Sequence, residues 1–234
     1  MKRSYLFVSI CFVAMLGLMG CSVTESTNVK TSGIYAIFTV YHRADGTVSV
    51  RGTLRVGGST GTIVDLASGE HLEVNGQVMS EFVDPITDYH WSRAIIDPDP
   101  AGVYDIDFVR LDELVTTTVL TPEPPTIVSL DPGDVVFSED TLTITWDDTD
   151  PGQDVDIYIE GDCIENHADF NVPDTGAYTS GDIYDIEPMS PTDCTLTVTV
   201  ERFAHDGGVN GAYQGGVSSS SWAEEAFIDF ETTL

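Results

Sequence analysis

From Gly33 onward the chain alternates apolar and polar residues with a period of two. Ile34, Ala36, Phe38 and Val40 fall on one face of the first run, with Tyr35, Ile37, Thr39 and Tyr41 on the other. The return run is cleaner: Val48, Val50, Gly52, Leu54 and Val56 share one face, and Thr47, Ser49, Arg51, Thr53 and Arg55 the other. A period of two predicts half-buried antiparallel strands. Between the runs, Arg43-Ala44-Asp45-Gly46 carries the Asp-Gly pair favoured in tight hairpins, and Asn75-Gly76 marks a second reversal. Further strands are expected at Thr62–Ala67, His71–Val74, Gln77–Val83, Trp91–Ile96 and Val103–Arg110. Turn signals arrive about every ten residues and no useful helix-period segment appears, which predicts an all-β sandwich or partly open barrel over residues 33–120.

Thr121-Pro122-Glu123-Pro124-Pro125 reads as a stiff Pro-rich linker at 121–125. Beyond it, Ile127-Val128 leads to Leu142-Thr143-Ile144-Thr145-Trp146. Strands follow at Val155–Ile159, Thr195–Val200 and Ala226–Phe230. This second segment, residues 126–234, resembles a fibronectin type III or related immunoglobulin-like domain, in which a core tryptophan sits on an early strand. The late-strand tyrosine of the type III family is absent, and the cysteine spacing differs from that of antibody domains. The expected fold class is therefore all-β, with two tandem antiparallel β-sandwich domains. Ala204–Ser221, with its glycines and four consecutive serines, reads as a long loop. Either it is a plain flexible connection or its Tyr213 is a binding tip.

Parity also bears on the cysteines. Ile157 and Ile159 face inward and carry Cys163 to their side, while Cys194 shares the parity of Leu196, Val198 and Val200. In an oxidising compartment a Cys163–Cys194 disulfide is the expected outcome.

The N-terminus supplies that compartment. Lys2 and Arg3 precede a nearly unbroken apolar run from Tyr5 to Met19, so residues 1–20 read as a secretory signal peptide. Leu18-Met19-Gly20-Cys21 resembles the lipobox of bacterial lipoproteins. That resemblance implies cleavage before Cys21, a diacylglycerol on its sulfur and a further acyl chain, such as palmitate, on its amino group. Ser22 in place of Asp implies the outer membrane in that family. Residues 21–32, polar and poor in bulky apolar side chains, read as a lipid-anchored tether reaching at most roughly 35–40 Å.

Composition then narrows the function. The 234-residue chain has nine Lys and Arg against 39 Asp and Glu, a formal charge of −30; losing Lys2 and Arg3 with the signal takes it to −32. Such acidity suits no nucleic-acid partner and no electrostatic docking on anionic lipid, so the membrane link is the acyl anchor. It fits colloidal repulsion on an exposed protein, or adaptation to saline surroundings.

Nucleophile elbows, His-Glu-x-x-His motifs and phosphate-binding loops are all absent from the sequence. The expected function is a non-catalytic, lipid-anchored envelope lipoprotein with an envelope protein or glycan as partner. The alternative is a glycan- or calcium-binding accessory of an envelope enzyme. No cofactor is required; calcium is the one metal with candidate ligands, Asp147, Asp148, Asp150, Asp154 and Asp156, crowded around Pro151-Gly152. An aromatic stripe on the first domain, involving Tyr35, Tyr41 or Trp91, would favour glycan binding, and a featureless acidic surface a spacer.

Overall fold

The computed structural model describes residues 23–87, 89–131, 134–137, 141–147, 153–180 and 194–231. In chain order the first-half strands are β1 (Val23–Glu25), β2 (Ile34–His42), β3 (Val48–Val56), β4 (Thr62–Asp65), β5 (His71–Val74), β6 (Gln77–Val78), β7 (Ser80–Asp84), β8 (Tyr89–Ile96), β9 (Val103–Val109) and β10 (Leu114–Leu120). The second half contributes β11 (Val135–Phe137), β12 (Thr143–Thr145), β13 (Asp154–Glu160), β14 (His167–Pro173), β15 (Ala177–Thr179), β16 (Cys194–Gly207) and β17 (Gly215–Glu231). The protein is all-β, as its alternating pattern predicts.

Two hydrophobic clusters form. In the first, the inward positions of β2 and β3, including Ile34, Phe38, Val50 and Leu54, face Leu72 and Val74 of β5 and Tyr104, Ile106 and Phe108 of β9. Strands β10, β9, β5 and β6 make the covering sheet. Gly52 lets the layers approach: a Cβ there would sit 2.5 Å from Leu72 Cδ1. In the second, Ile144 and Trp146 cover Val155, Ile157 and Ile159 of β13, Leu196, Val198 and Val200 of β16, and Ile228 and Phe230 of β17. Asn75 and Gly76, at φ 47° and 80°, form the reversal expected there. In the other hairpin only Gly46 takes a positive φ, and Gly46 N–H closes on Arg43 O.

Two expectations change. Ala204–Ser221 is not a long free loop. Its ends belong to β16 and β17, and Gly215–Trp222 runs parallel to Tyr35–His42 of β2. Tyr213 packs in the first core, 6.2 Å from the Phe38 ring, instead of at a mobile tip. The cause is the edge of β2: left open, a buried strand would leave a row of backbone groups unpaired. Residues of the second segment therefore complete the first sheet, and one sheet passes from β4, β3 and β2 through β17 and β16 to β13 and β14.

The stretch 23–32 is also not a free tether. Val23–Glu25 pairs in parallel with Ile63–Asp65, and Ser26 and Thr31 are buried. Arg110 holds this segment by donating to Ser26 O at 2.9 Å and Val29 O at 3.0 Å, while its Nε pairs with Glu70 at 2.9 Å. Side-chain hydroxyls and main-chain carbonyls, invisible to a hydropathy pattern, do the docking.

His42, at the end of β2, marks the seam between the halves. It stacks on Trp222 with ring centroids 3.6 Å apart, and its Nε2 lies 3.0 Å from the Tyr104 hydroxyl. Burial lowers its pKa from 6.5 to about 4. The unfolded chain therefore takes up this proton first, and stability is lost as pH falls from 6.5 through 4. The full loss from this group is about 3 kcal/mol. Denaturant unfolding at pH 7, 5 and 4 should show the stability difference between wild type and His42→Phe shifting against wild type by that amount towards acid.

Candidate functional site: an aromatic and arginine face

Because β3 and β8 bury alternate residues, their other positions share the outer face of the large sheet, which the exposed strand β7 extends. On β3 these are Arg51, Thr53 and Arg55, with Gly52 and Leu54 turned inward; on β8 they are Tyr89, Trp91 and Arg93, with Ser92 and Ala94 turned inward. The register sets Phe82 opposite Trp91, Arg51 opposite Arg93 and Tyr35 opposite Arg55.

The rings form a continuous platform. Phe82 stacks on Trp91 at 5.8 Å with planes 14° apart, and Tyr89 follows at 5.7 Å. Phe82 is 43% exposed; Trp91 and Tyr89 are half-buried. Arg51 lies over the Trp91 ring at 4.8 Å and Arg55 over Tyr89 at 5.4 Å, both cation–π arrangements. The Tyr89 hydroxyl lies 3.2 Å from Thr53 Oγ1. Burial pushes the Tyr89 phenol up, but hydrogen bonds from Thr53 and Arg55 and the Arg55 and Arg51 charges outweigh it, leaving the pKa below the ordinary tyrosine value.

The opposite half of the same sheet is acidic. Burial raises the Glu201 carboxyl, and Asp156 adds to the rise against a hydrogen bond from Ser221. Burial first, then Glu201 and Asp156, push Tyr158 up to about 12. The outer surface thus carries the arginines and rings at β3, β8 and β7, with Asp84 of β7 among them, and Glu201, Asp156 and Tyr158 at β16 and β13.

Behind the platform, Glu81, Asp65 and His90 meet, with His90 Nδ1 3.1 Å from Asp65 Oδ1. Burial, then Asp65, raises the Glu81 carboxyl. The adjoining cavity measures about 20 Å³, room for a water. It does not seat a sugar ring.

The other predicted positions fall as follows. Cys163 and Cys194 are joined, with Cα atoms 5.9 Å apart. Asp147 is exposed and spends its main chain on Thr126 and Arg202. Asp156 Oδ1 accepts the Asn171 N–H at 2.9 Å, and Asp154 starts β13 exposed. Asp148 and Asp150 lie outside the described residues, as does Cys21. Among the described residues, the one triad with potential metal-ligand atoms within 4.8 Å is Asp162, Cys163 and Cys194, whose sulfurs are already bonded to each other. Asp147, Asp154 and Asp156 are not brought together. Between β8 and β10, Asp99 Oδ1 accepts the Ala101 N–H at 2.8 Å, and Asp105 and Asp107 accept hydroxyls from Thr118 and Thr116.

Of the site, the alternating pattern pointed to Trp91. The same pattern put Arg51 and Arg55 on one polar face, and strand pairing brought Phe82, Tyr89 and Arg93 beside them. The signal that could have found them is the odd parity of Tyr89, Trp91 and Arg93 on one strand and of Arg51 and Arg55 on another.

The site is an open, aromatic, arginine-flanked sheet face on an all-β protein with two cores. No family model matches the chain, and no curated protein matches it. Among solved structures, a titin fragment, Titin-A168169, aligns over 86% of this chain and 96% of its own at 9% identity, with a TM-score of 0.26. The Bacteroides ovatus mixed-linkage glucan utilization locus protein SGBP-B, in complex with a mixed-linkage heptasaccharide, aligns over 80% of this chain and 53% of its own at 11% identity, with a TM-score of 0.25.

Proposed function

We propose that this chain is a non-catalytic envelope lipoprotein, anchored through acylated Cys21, that binds a glycan on the outer face of β3, β8 and β7. The observation that carries the binding reading is the surface stack of exposed Phe82 with half-buried Trp91 and Tyr89. Flat aromatic surface stacks on the apolar face of a sugar ring, and three rings in a row provide a platform instead of a single contact. The platform is an open face with a hollow of about 390 Å³ beside it, lined in part by Arg55, Thr87 and Tyr89, and an open face suits binding along a polymer. Among the described residues no helix is long and apolar enough to cross a membrane, so attachment in this reading rests on the lipid. With β1 starting at Val23, only Ser22 lies between its first residue and the acylated one. The start of β1 therefore lies within roughly 7 Å of the acylated cysteine along the chain.

The mature protein should sediment with insoluble envelope polysaccharide, and Trp91→Ala should lose about tenfold in affinity with unchanged circular dichroism, a difference of about 1.4 kcal/mol. Equal retention of wild type and Trp91→Ala overturns the reading. Cys21→Ser should move the full-length protein from the membrane to the soluble fraction of cells; retention in the membrane overturns the anchor.

A further inference from the structure

Seven cationic residues remain after the signal peptide: Lys30, Arg43, Arg51, Arg55, Arg93, Arg110 and Arg202. Arg43, Arg110 and Arg202 are paired with Asp45, Glu70 and Asp174. Arg51, Arg55 and Arg93 have no carboxylate partner among the described residues, although the chain carries 39 acidic side chains. All three lie on the aromatic face.

Their arrangement costs stability. Arg51 and Arg93 are direct cross-strand partners, and like charges placed opposite each other repel. Arg93 Nε donates to Ser49 Oγ at 3.1 Å, Arg55 Nη1 donates to the Gly61 carbonyl at 3.1 Å, and the buried Arg55 Nε has no partner. Neutral neighbours orient these guanidiniums without discharging them. On the same face Asp84, opposite Tyr89, spends its carboxylate on the Ile86 and Thr87 N–H groups, while Glu201 and Asp156 lie on the other half of the sheet.

We infer that Arg51, Arg93 and Arg55, beside Trp91, Tyr89 and Phe82, select an anionic polysaccharide whose uronate carboxylates occupy the guanidiniums while its sugar rings lie on the aromatic platform. This rests on the glycan-binding reading above and names its substrate class. Guanidinium forks match carboxylates bidentately. Arg51 and Arg55 are four residues apart on an extended strand, about 13 Å, and Tyr89 to Arg93 spans the same length. Arg51 and Arg93 sit at one level and Arg55 about 13 Å along, two cationic levels that suit a polymer bearing a carboxylate on each of several successive sugars and are sparse for a nucleic acid carrying one charge per about 1.7 Å of duplex. Screening within about 8 Å at physiological salt lets this patch act against the acidity of the whole.

Binding of the mature protein to polygalacturonate, its fully methyl-esterified form, and dextran sulfate tests the assignment. Polygalacturonate should bind at least tenfold tighter than the ester, with the advantage shrinking as salt rises. The double variant Arg51→Gln/Arg93→Gln should lose that tenfold on polygalacturonate, keep its affinity for the ester, and keep the wild-type circular dichroism. Equal affinity for acid and ester, both lost in Trp91→Ala, overturns the charge selection and leaves the glycan platform standing. Tighter binding to dextran sulfate than to polygalacturonate overturns the carboxylate assignment. No binding to any of the three polymers overturns this substrate class.

Discussion

Arg202→Met should destabilise the protein by about 3–5 kcal/mol, the range for removing one partner of a buried ion pair. Arg202 and Asp174 are both fully buried, with Arg202 Nε donating to Asp174 Oδ2 at 2.5 Å and Nη2 to Oδ1 at 3.2 Å. The remaining donors are also occupied: Nη1 reaches the Glu123 carbonyl at 2.9 Å and Nη2 the Asp147 carbonyl at 2.8 Å. Asp174 Oδ1 in turn accepts the Trp146 indole N–H at 2.8 Å. One guanidinium thus ties the linker at Glu123, the end of the strand bearing Trp146, and the turn after β14. Deleting it strands a carboxylate and frees three backbone segments. Urea unfolding of Arg202→Met, Asp174→Asn and the double variant checks this: the singles should each be severe and the double far less than their sum, because the two groups form one network. A loss below 1 kcal/mol in Arg202→Met would place the pair among exposed bridges instead. The loss should be nearly independent of NaCl, since a buried pair is screened little.

The second large effect is the disulfide. Cys163→Ser/Cys194→Ser should lower stability by roughly 3–4 kcal/mol, the chain-entropy cost for a closed loop with a separation of 31 residues. The bridge joins the end of β13 to the start of β16, strands already in register from Val155–Arg202 to Glu160–Thr197. The closed segment contains β14 and β15, the latter pairing with β12 to cover the second core. Without the bridge, the unfolded chain gains the freedom of that whole segment. Thermal unfolding of the wild type with and without reductant should reproduce the double-serine shift; melting curves that coincide in all three samples would remove the effect.

These two features differ in how far the chain announces them. Parity alone put Cys163 and Cys194 on the inner side of their strands, and the bridge is there. The same parity carries Arg202 inward behind Leu196, Val198 and Val200, so a buried cation was implicit in the pattern. Its partner was not. Asp174 follows a strand with a mixed exposure pattern, and nothing local marks it as an acid to be buried. The aromatic face behaves likewise: Trp91 stood out, but Phe82 reaches it only because β7 and β8 pair Phe82 with Trp91.

Side-chain alternation is a local property of an extended backbone, and so the sequence by itself determined the all-β class, the inward and outward sets of β2, β3, β13 and β16, and the cysteine pairing. Strand order and register are set by contacts between residues far apart in the chain, and only the tertiary structure decided them. Gly215–Trp222 shows why: its glycines and serines carry no hydrophobic period, yet the open edge of β2 recruits their backbone groups into the sheet. Residues 23–32 are docked in the same way by Arg110, through carbonyls that every residue possesses. The gathering of Arg51, Arg55 and Arg93 beside Trp91 likewise exists only once β3 and β8 lie side by side, because charge and ring stacking act across space where sequence spacing has no reach.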